Sequence, residues 1–204
     1  MLDRPDGRLL EGSPFDNVIW EGRFQPIHKG HVEYVKTLLQ YARHVWVFVV
    51  ENEVSTDVSS GGDLPVPEFS HEVDEHHVDE KNPFPFWLRY RMVVETLLEE
   101  LPGAPITVWG GRRLDLLWPF YRRALPPNRV FLTPTRDSFE DAKARAWQQL
   151  GERVVRIDTS AFPPVSATLV RQRLLSGDAV SDVLCKSTER LLREFLATTN
   201  GRVN

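Results

Sequence analysis

A single cysteine, Cys185, leaves no partner for an intramolecular disulfide and too few thiols for a multi-cysteine zinc site. No apolar run approaches the roughly 18–20 residues that span a bilayer, so no membrane association is expected. The opening stretch "MLDRPDGRLLEGSPFD" has no basic region followed by an apolar one, so it does not read as a secretory signal, and a cytoplasmic location is expected. A basic stripe of the kind that grips duplex nucleic acid is missing as well. So is a G-x-G-x-x-G run after the first apolar segment, which argues against a dinucleotide-binding oxidoreductase.

What is present fits a soluble globular chain: 41% hydrophobic and 26% charged residues in 204, enough for one domain with a sizeable core. The net charge of −4 is unevenly spread. Between Glu51 and Glu80 there are 10 acids and no lysine or arginine, which leaves 19 acids against 25 bases elsewhere. A mildly basic body suits a local cationic pocket for a phosphorylated small molecule. Residues 51–83, rich in Gly, Pro, Ser and acid, read as a mobile insertion too long for an ordinary loop. Within it "HEVDEHHVDE" carries three histidines. Imidazole and carboxylate at such spacing can bind a metal, but without an apolar scaffold a solvated lid is the preferred reading, and no protein metal site is assigned.

Elsewhere apolar runs alternate with helical periodicity. Strands are expected at Asn17–Glu21, from His44 in "HVWVFVVEN", in "ITVWG", in "RVFLT" and in "RVVRID". Helices are expected over His31–Ala42, Trp87–Leu101, from Ser138 to Gly151, over Ser166–Leu175 and over Asp182–Ala197. A helix or broken helix is expected in "RLDLLWPFYRRAL". Ser138 with Asp141 three residues on reads as a helix start, and Gly151 as a stop. His44 reads as structural and Cys185 as a core thiol on a helical face. The pattern predicts a Rossmann-like α/β fold, a doubly wound parallel sheet of five strands with C-terminal helices over 166–204 and a short extension over 1–16.

The most informative stretch is "GRFQPIHKGH", Gly22–His31, at a strand-to-helix junction. In an open α/β sheet the crevice there is the usual ligand site, and a helix N-terminus favours an anion. Gly30 removes a side chain where a phosphate needs close approach, and Pro26 fixes the turn. His28 and His31, three apart, can point to the same side of the first turn. Two imidazole donors suit the charge that develops on a phosphoryl group under attack.

This stretch resembles the H-x-G-H signature of the nucleotidylyltransferase superfamily, and more closely the GRFQP-x-H-x-G-H form of archaeal-type nicotinamide-nucleotide adenylyltransferases. The second family signature, S-x-T-x-x-R, is matched by Ser166, Thr168 and Arg171 in "VSATLVRQRLLSGD", with Ala167 where the family has glycine. "NPFPFWLRYRM" resembles the family's N-P-F segment. Ser166 or Thr168 can cap a helix whose N–H groups face an anion, and Arg171 shares that face. The resemblance implies nucleotidyl transfer from a nucleoside triphosphate (ATP or CTP) to a small phosphorylated acceptor, with Mg²⁺ on the phosphates and pyrophosphate released. It points to ATP and nicotinamide mononucleotide giving NAD, with another phosphate or phosphonate acceptor as the alternative. His28, His31 and Arg171 are the implied catalytic residues. Gly22, Arg23, Phe24, Lys29, Gly30, Ser166 and Thr168 are the implied nucleotide contacts, and Asn82, Phe84, Trp87 and Arg89 the implied acceptor contacts. A homo-oligomer is compatible with the resemblance. A binding-only sensor is the reading from another class; intact His28, His31 and Arg171 weigh against it. A class I aminoacyl-tRNA synthetase would need a longer chain.

Overall fold

The computed structural model describes residues 15–51, 81–162 and 164–198. The histidine-bearing run 71–80, most of the acidic segment and most of the N-terminal extension lie outside the described residues.

Five strands form one parallel sheet: β1 (Phe15–Gly22), β2 (Ala42–Glu51), β3 (Ile106–Arg112), β4 (Arg129–Pro134) and β5 (Val154–Ile157), in the order β3-β2-β1-β4-β5. Among the described residues six helices flank it: α1 (Lys29–Tyr41), α2 (Phe86–Glu100), α3 (Trp118–Ala124), α4 (Ser138–Gln149), α5 (Ala167–Ser176) and α6 (Lys186–Thr198). The order reverses between β1 and β4, so the crevice beyond the carboxyl ends of these two strands is the switch point.

The inner strands β1, β2 and β4 are buried on both faces along their middles, as their β-branched and aromatic runs predict, while the edge strands β3 and β5 are half-buried. Val18 and Trp20 of β1, Val45, Val47 and Val49 of β2, and Val130 and Leu132 of β4 pack with α1, α2, α5 and α6. Ile19, Phe48, Val50 and Phe131 point the opposite way, onto Trp118 and Tyr121 of α3 and Trp147 of α4. The period of two thus divides one sheet between two cores. On the second face Phe131 and Trp147 stack with ring centroids 4.2 Å apart.

The expected elements all form, with differences at two helix starts. The start of α4 is capped by Asp137, whose carboxylate accepts the Glu140 N–H at 3.0 Å, so the cap lies one residue before Ser138. α6 begins at Lys186, four residues later than expected, because 181–184 form a turn. Cys185 is therefore not on a helical face; it is buried just before α6, and its carbonyl accepts the Glu189 N–H at 3.0 Å. His44 is structural as expected: Nε2 meets Thr107 Oγ1 on the neighbouring strand at 2.8 Å. Gly151 does end α4, in the left-handed region at φ +82°.

Candidate active site

β1 ends at Gly22 and the chain turns through residues 23–28 before α1 starts at Lys29. Phe24 sits in the left-handed region at φ 52°, a conformation costing a non-glycine residue about 1–2 kcal/mol. Ring packing holds it there: Phe24 meets Trp20 edge-on at 5.1 Å and His31 at 5.3 Å. Gly22 is required by that packing, since a Cβ would stand 3.0 Å from the Phe24 ring.

His28 is the N-cap residue of α1. Its ring stacks on His31, with centroids 3.7 Å apart and an interplanar angle of 18°. The His28 N–H donates to His31 Nδ1 at 3.3 Å. In the neutral His31 ring that leaves the proton on Nε2, available as a donor. His28 Nδ1 is buried without a hydrogen-bond partner among the described residues. Burial, then the Arg136 guanidinium, holds His28 down at about 4. Burial, His28 itself, Arg136 and Lys143 hold His31 well below the usual imidazole range. Both rings are neutral donors at pH 7, which keeps their stacking free of like-charge repulsion.

This neutrality has a cost that pH exposes. The stability His28 contributes is full above pH 6.5 and lost as pH falls from 6.5 toward about 4, because the unfolded chain takes up the proton first. The His28 contribution amounts to about 2 kcal/mol lost by pH 5. Urea unfolding at pH 7.5 and pH 5 should show His28→Asn losing less stability between these values than the native chain, by that amount.

Gly30 also has a structural reason. A Cβ there would stand 3.1 Å from Nδ1 and 3.2 Å from Cε1 of His28, and 3.7 Å from the Val165 Cβ. The glycine makes room for the histidine. Gly30→Ala should shift that ring by a few tenths of an ångström and cost on the order of tenfold in turnover. Stability should hold or rise slightly, since alanine is the better helix former.

The third wall comes from the start of α5. Ser166 caps it, its Oγ accepting the Leu169 N–H at 3.1 Å. Arg171 spans the crevice: one Nη donates to the Gln25 carbonyl at 2.7 Å and the other to Thr168 Oγ1 at 3.3 Å. The motifs thus meet, 146 residues apart at Gln25 and Arg171.

Around them opens a cleft of about 1070 Å³. Of the expected residues, Gly22, Arg23, Phe24, His28, Gly30, His31, Ser166, Thr168 and Arg171 line it. Five expected contacts lie elsewhere. Lys29 turns away, donating through Nζ to the carbonyls of Ser181 at 2.8 Å and Asp182 at 3.1 Å, which ties α1 to the turn before α6. Phe84 is 1% exposed and packed in the core, its backbone paired both ways with the Gln25 amide. Trp87 is 57% exposed and meets Phe195 of α6 at 6.1 Å. Arg89 is fully buried and donates to the carbonyls of Phe84, Arg23 and Val50 at 2.8, 2.8 and 2.6 Å. Asn82 stands behind the wall, its Oδ1 3.4 Å from Arg23 Nη1.

Other residues that line the cleft carry no motif. Arg136 follows β4, Lys143 comes from α4, Arg113 and Asp115 follow β3 as an ion pair at 2.6 Å, and Glu21 is the penultimate residue of β1. Their shared signal is position just beyond a strand's carboxyl end or on the helix covering it. Arg23 Cζ lies 5.4 Å over the Phe139 ring, and burial together with Arg171 lowers its guanidinium to about 10, still charged at pH 7. Neutral imidazoles within a ring of cations make a pocket for a polyphosphate.

Comparison with known proteins agrees. The Cytidylyltransferase-like family model matches residues 19–66, which include the H-x-G-H stretch. A phosphonoformate cytidylyltransferase from Streptomyces viridochromogenes is 26% identical over 176 residues, covering 85% of this chain and 88% of that protein. A nicotinamide-nucleotide adenylyltransferase from Pyrococcus horikoshii is 25% identical, covering 87% of this chain and 82% of its own length. Over most of its length the chain is thus similar to nucleotidylyltransferases that act on two different acceptors.

Solved structures share its fold. A putative nicotinate-nucleotide adenylyltransferase from Vibrio parahaemolyticus superposes with a TM-score of 0.56 at 14% identity, covering 88% of this chain and 92% of that one. A bifunctional NMN adenylyltransferase/ADP ribose pyrophosphatase from Francisella tularensis, complexed with AMP and a manganese ion, gives 0.58 at 18% identity, over 90% of this chain. The chain spans about half the length of that bifunctional protein, 49%. Among the described residues no helix is long and apolar enough to cross a membrane.

Proposed function

We propose that this nucleotidylyltransferase joins a nucleoside monophosphate, taken from a nucleoside triphosphate, to the phosphate of a small acceptor and releases pyrophosphate. The observation that carries the reading is the stacked, neutral His28–His31 pair between Arg171, Arg23 and Arg136 at the switch point. An oxygen of the acceptor phosphate attacks the α-phosphorus, forming a new P–O bond. The bond from the α-phosphorus to the bridging oxygen breaks, and its electron pair leaves with pyrophosphate. The nucleophile is already ionised at pH 7, so no general base is needed, and none of Ser-His-Asp type is present in the matched segments. The imidazole N–H groups stabilise the charge that builds on the α-phosphoryl oxygens, and Arg171 with the α5 start holds the leaving group.

Among the described residues no cluster of three or more His, Cys, Asp or Glu forms a metal cage. A divalent cation, read as Mg²⁺, would supply charge neutralisation to the triphosphate when bound. Ser166, Thr168 and Arg171 would hold the phosphates that carry it.

ATP and nicotinamide mononucleotide are the first substrate pair, supported by the GRFQP form of the motif and the archaeal relatives. CTP with a small phosphonate is the second, favoured by the placement of Phe84 and Trp87, which leaves neither available to face a pyridine ring. Pyrophosphate release tests both, crossing ATP and CTP with nicotinamide mononucleotide, nicotinate mononucleotide and simple phosphonates. Turnover with ATP and a pyridine mononucleotide supports the first pair; turnover restricted to CTP and phosphonates overturns it in favour of the second.

A further inference from the structure

The charge at one end of the cleft is the opposite of what a phosphate pocket wants. Glu21, the penultimate residue of β1, lines the cleft on the face of the strand opposite Trp20, which meets His31, and sits beside Trp147 and Lys143 of α4. One carboxylate oxygen, Oε1, accepts the Trp147 indole N–H at 3.1 Å. The other has no hydrogen-bond partner among the described residues. Lys143 lies close by, but its Nζ donates to the Glu21 backbone carbonyl at 3.2 Å and to Glu140 Oε2 at 3.2 Å. Asp115, which follows β3, is a second acid near this end, already engaged by Arg113 at 2.6 Å. A carboxylate kept partly unpaired beside an anion site repels a purely anionic ligand, and only a ligand bearing a hydrogen-bond donor repays it.

From this we infer that Glu21 determines acceptor specificity, its second oxygen receiving a hydroxyl, amine or amide N–H carried by the acceptor away from the reacting phosphate. The assignment rests on the nucleotidyl-transfer reading only for the name of the ligand that fills this end. That reading gives the triphosphate to the α1 and α5 motifs, which leaves the surroundings of Glu21 to the acceptor.

Burial, offset in part by Lys143 and reinforced by Asp115 and Glu140, pushes the Glu21 carboxyl up to about 7. Its ionisation works against folding as pH rises from 4.5 through about 7, because the unfolded chain gives up the proton first.

Glu21→Gln makes a sharp test. The Trp147 N–H requires the amide oxygen, so the amide NH₂ must face the cleft and the site changes from acceptor to donor. Three phosphonates of similar size serve as probes: 2-aminoethylphosphonate, a donor; phosphonoacetate, an acceptor; and ethylphosphonate, neither. Their binding is followed by calorimetry at pH 8.5, with a non-hydrolysable triphosphate present. The native chain should bind 2-aminoethylphosphonate about tenfold or more tighter than phosphonoacetate, with ethylphosphonate between them. Glu21→Gln should reverse the outer two and raise Tm at pH 8.5 by a few degrees. Lowering the pH to 6 should narrow the native preference and leave the variant's order unchanged. The same order in both proteins, or no binding of any probe to the native chain, overturns the assignment. A variant of lower Tm with the native order identifies Glu21 as structural. Binding order is read without turnover, so failure of pyrophosphate release with the order reversed counts against transfer and not against Glu21.

Discussion

His31→Ala is expected to lose on the order of 10²–10³ in turnover, the usual cost of removing one positioned donor from a developing oxyanion, while remaining folded. The size follows from what the ring does. His31 Nδ1 is committed to the His28 N–H at 3.3 Å, so Nε2 is the donor, and the ring is neutral because it is buried beside His28, Arg136 and Lys143. The substitution therefore removes a directed hydrogen bond rather than a charge. His31→Gln, which keeps an N–H, should recover part of the loss. Arg171→Lys should not recover an Arg171→Ala loss to the same degree, because one ammonium cannot reach both Gln25 and Thr168 as the guanidinium fork does. Steady-state pyrophosphate release with circular dichroism on each variant checks the set. A His31→Ala enzyme within tenfold of the native rate would show that the pair does not stabilise the transition state.

Arg89→Ala should have the largest effect on stability, on the order of 3–5 kcal/mol, which for a chain of this size lowers Tm by roughly 10 °C. The guanidinium is fully buried and gathers three carbonyls from three places: Arg23 in the loop after β1, Val50 near the end of β2, and Phe84 before α2. Alanine would leave these acceptors unpaired away from water and open a cavity under the loop that carries the histidines. Activity should fall along with stability, because Arg23 and Gln25 are held by the same brace: the Arg23 carbonyl takes Arg89, and the Gln25 amide is paired with Phe84. Arg89→Lys keeps the charge but reaches fewer carbonyls, and should fall between the two. Urea unfolding measures the difference; a midpoint for Arg89→Met equal to the native one would contradict the brace.

Arg89 also shows where the sequence stops being informative. Its place after N-P-F marks it as near the acceptor, and it is near in chain and in space. Nothing in a helical period distinguishes an arginine facing a ligand from one buried under the loop that faces it. The same limit applies to Phe84 and Trp87, whose aromatic side chains suit stacking equally well in a core, where Phe84 lies, or on an exposed face, where Trp87 lies. Local signals did better. Strand composition and helical spacing located every element, because fully covered strands and one-sided helices leave unmistakable patterns. The two motifs were legible because each places its side chains within a single turn of helix. Arg136, Lys143, Arg113 and Glu21 were not, since each reaches the cleft only when strands far apart in sequence end side by side. The helix starts moved for a related reason: Asp137 and Ser138 are both good caps, and the backbone chose the one whose carboxylate reaches Glu140.

The central claim is attack at the α-phosphorus by a second phosphate or phosphonate, and isotopic labelling tests it most directly. With triphosphate carrying ³²P at the α position, the account predicts that the label appears only in a nucleotide–acceptor conjugate, in equal amount to the pyrophosphate released, and that His31→Ala suppresses both together. Label in free nucleoside diphosphate, or transfer of the γ-phosphate to the acceptor, would contradict it.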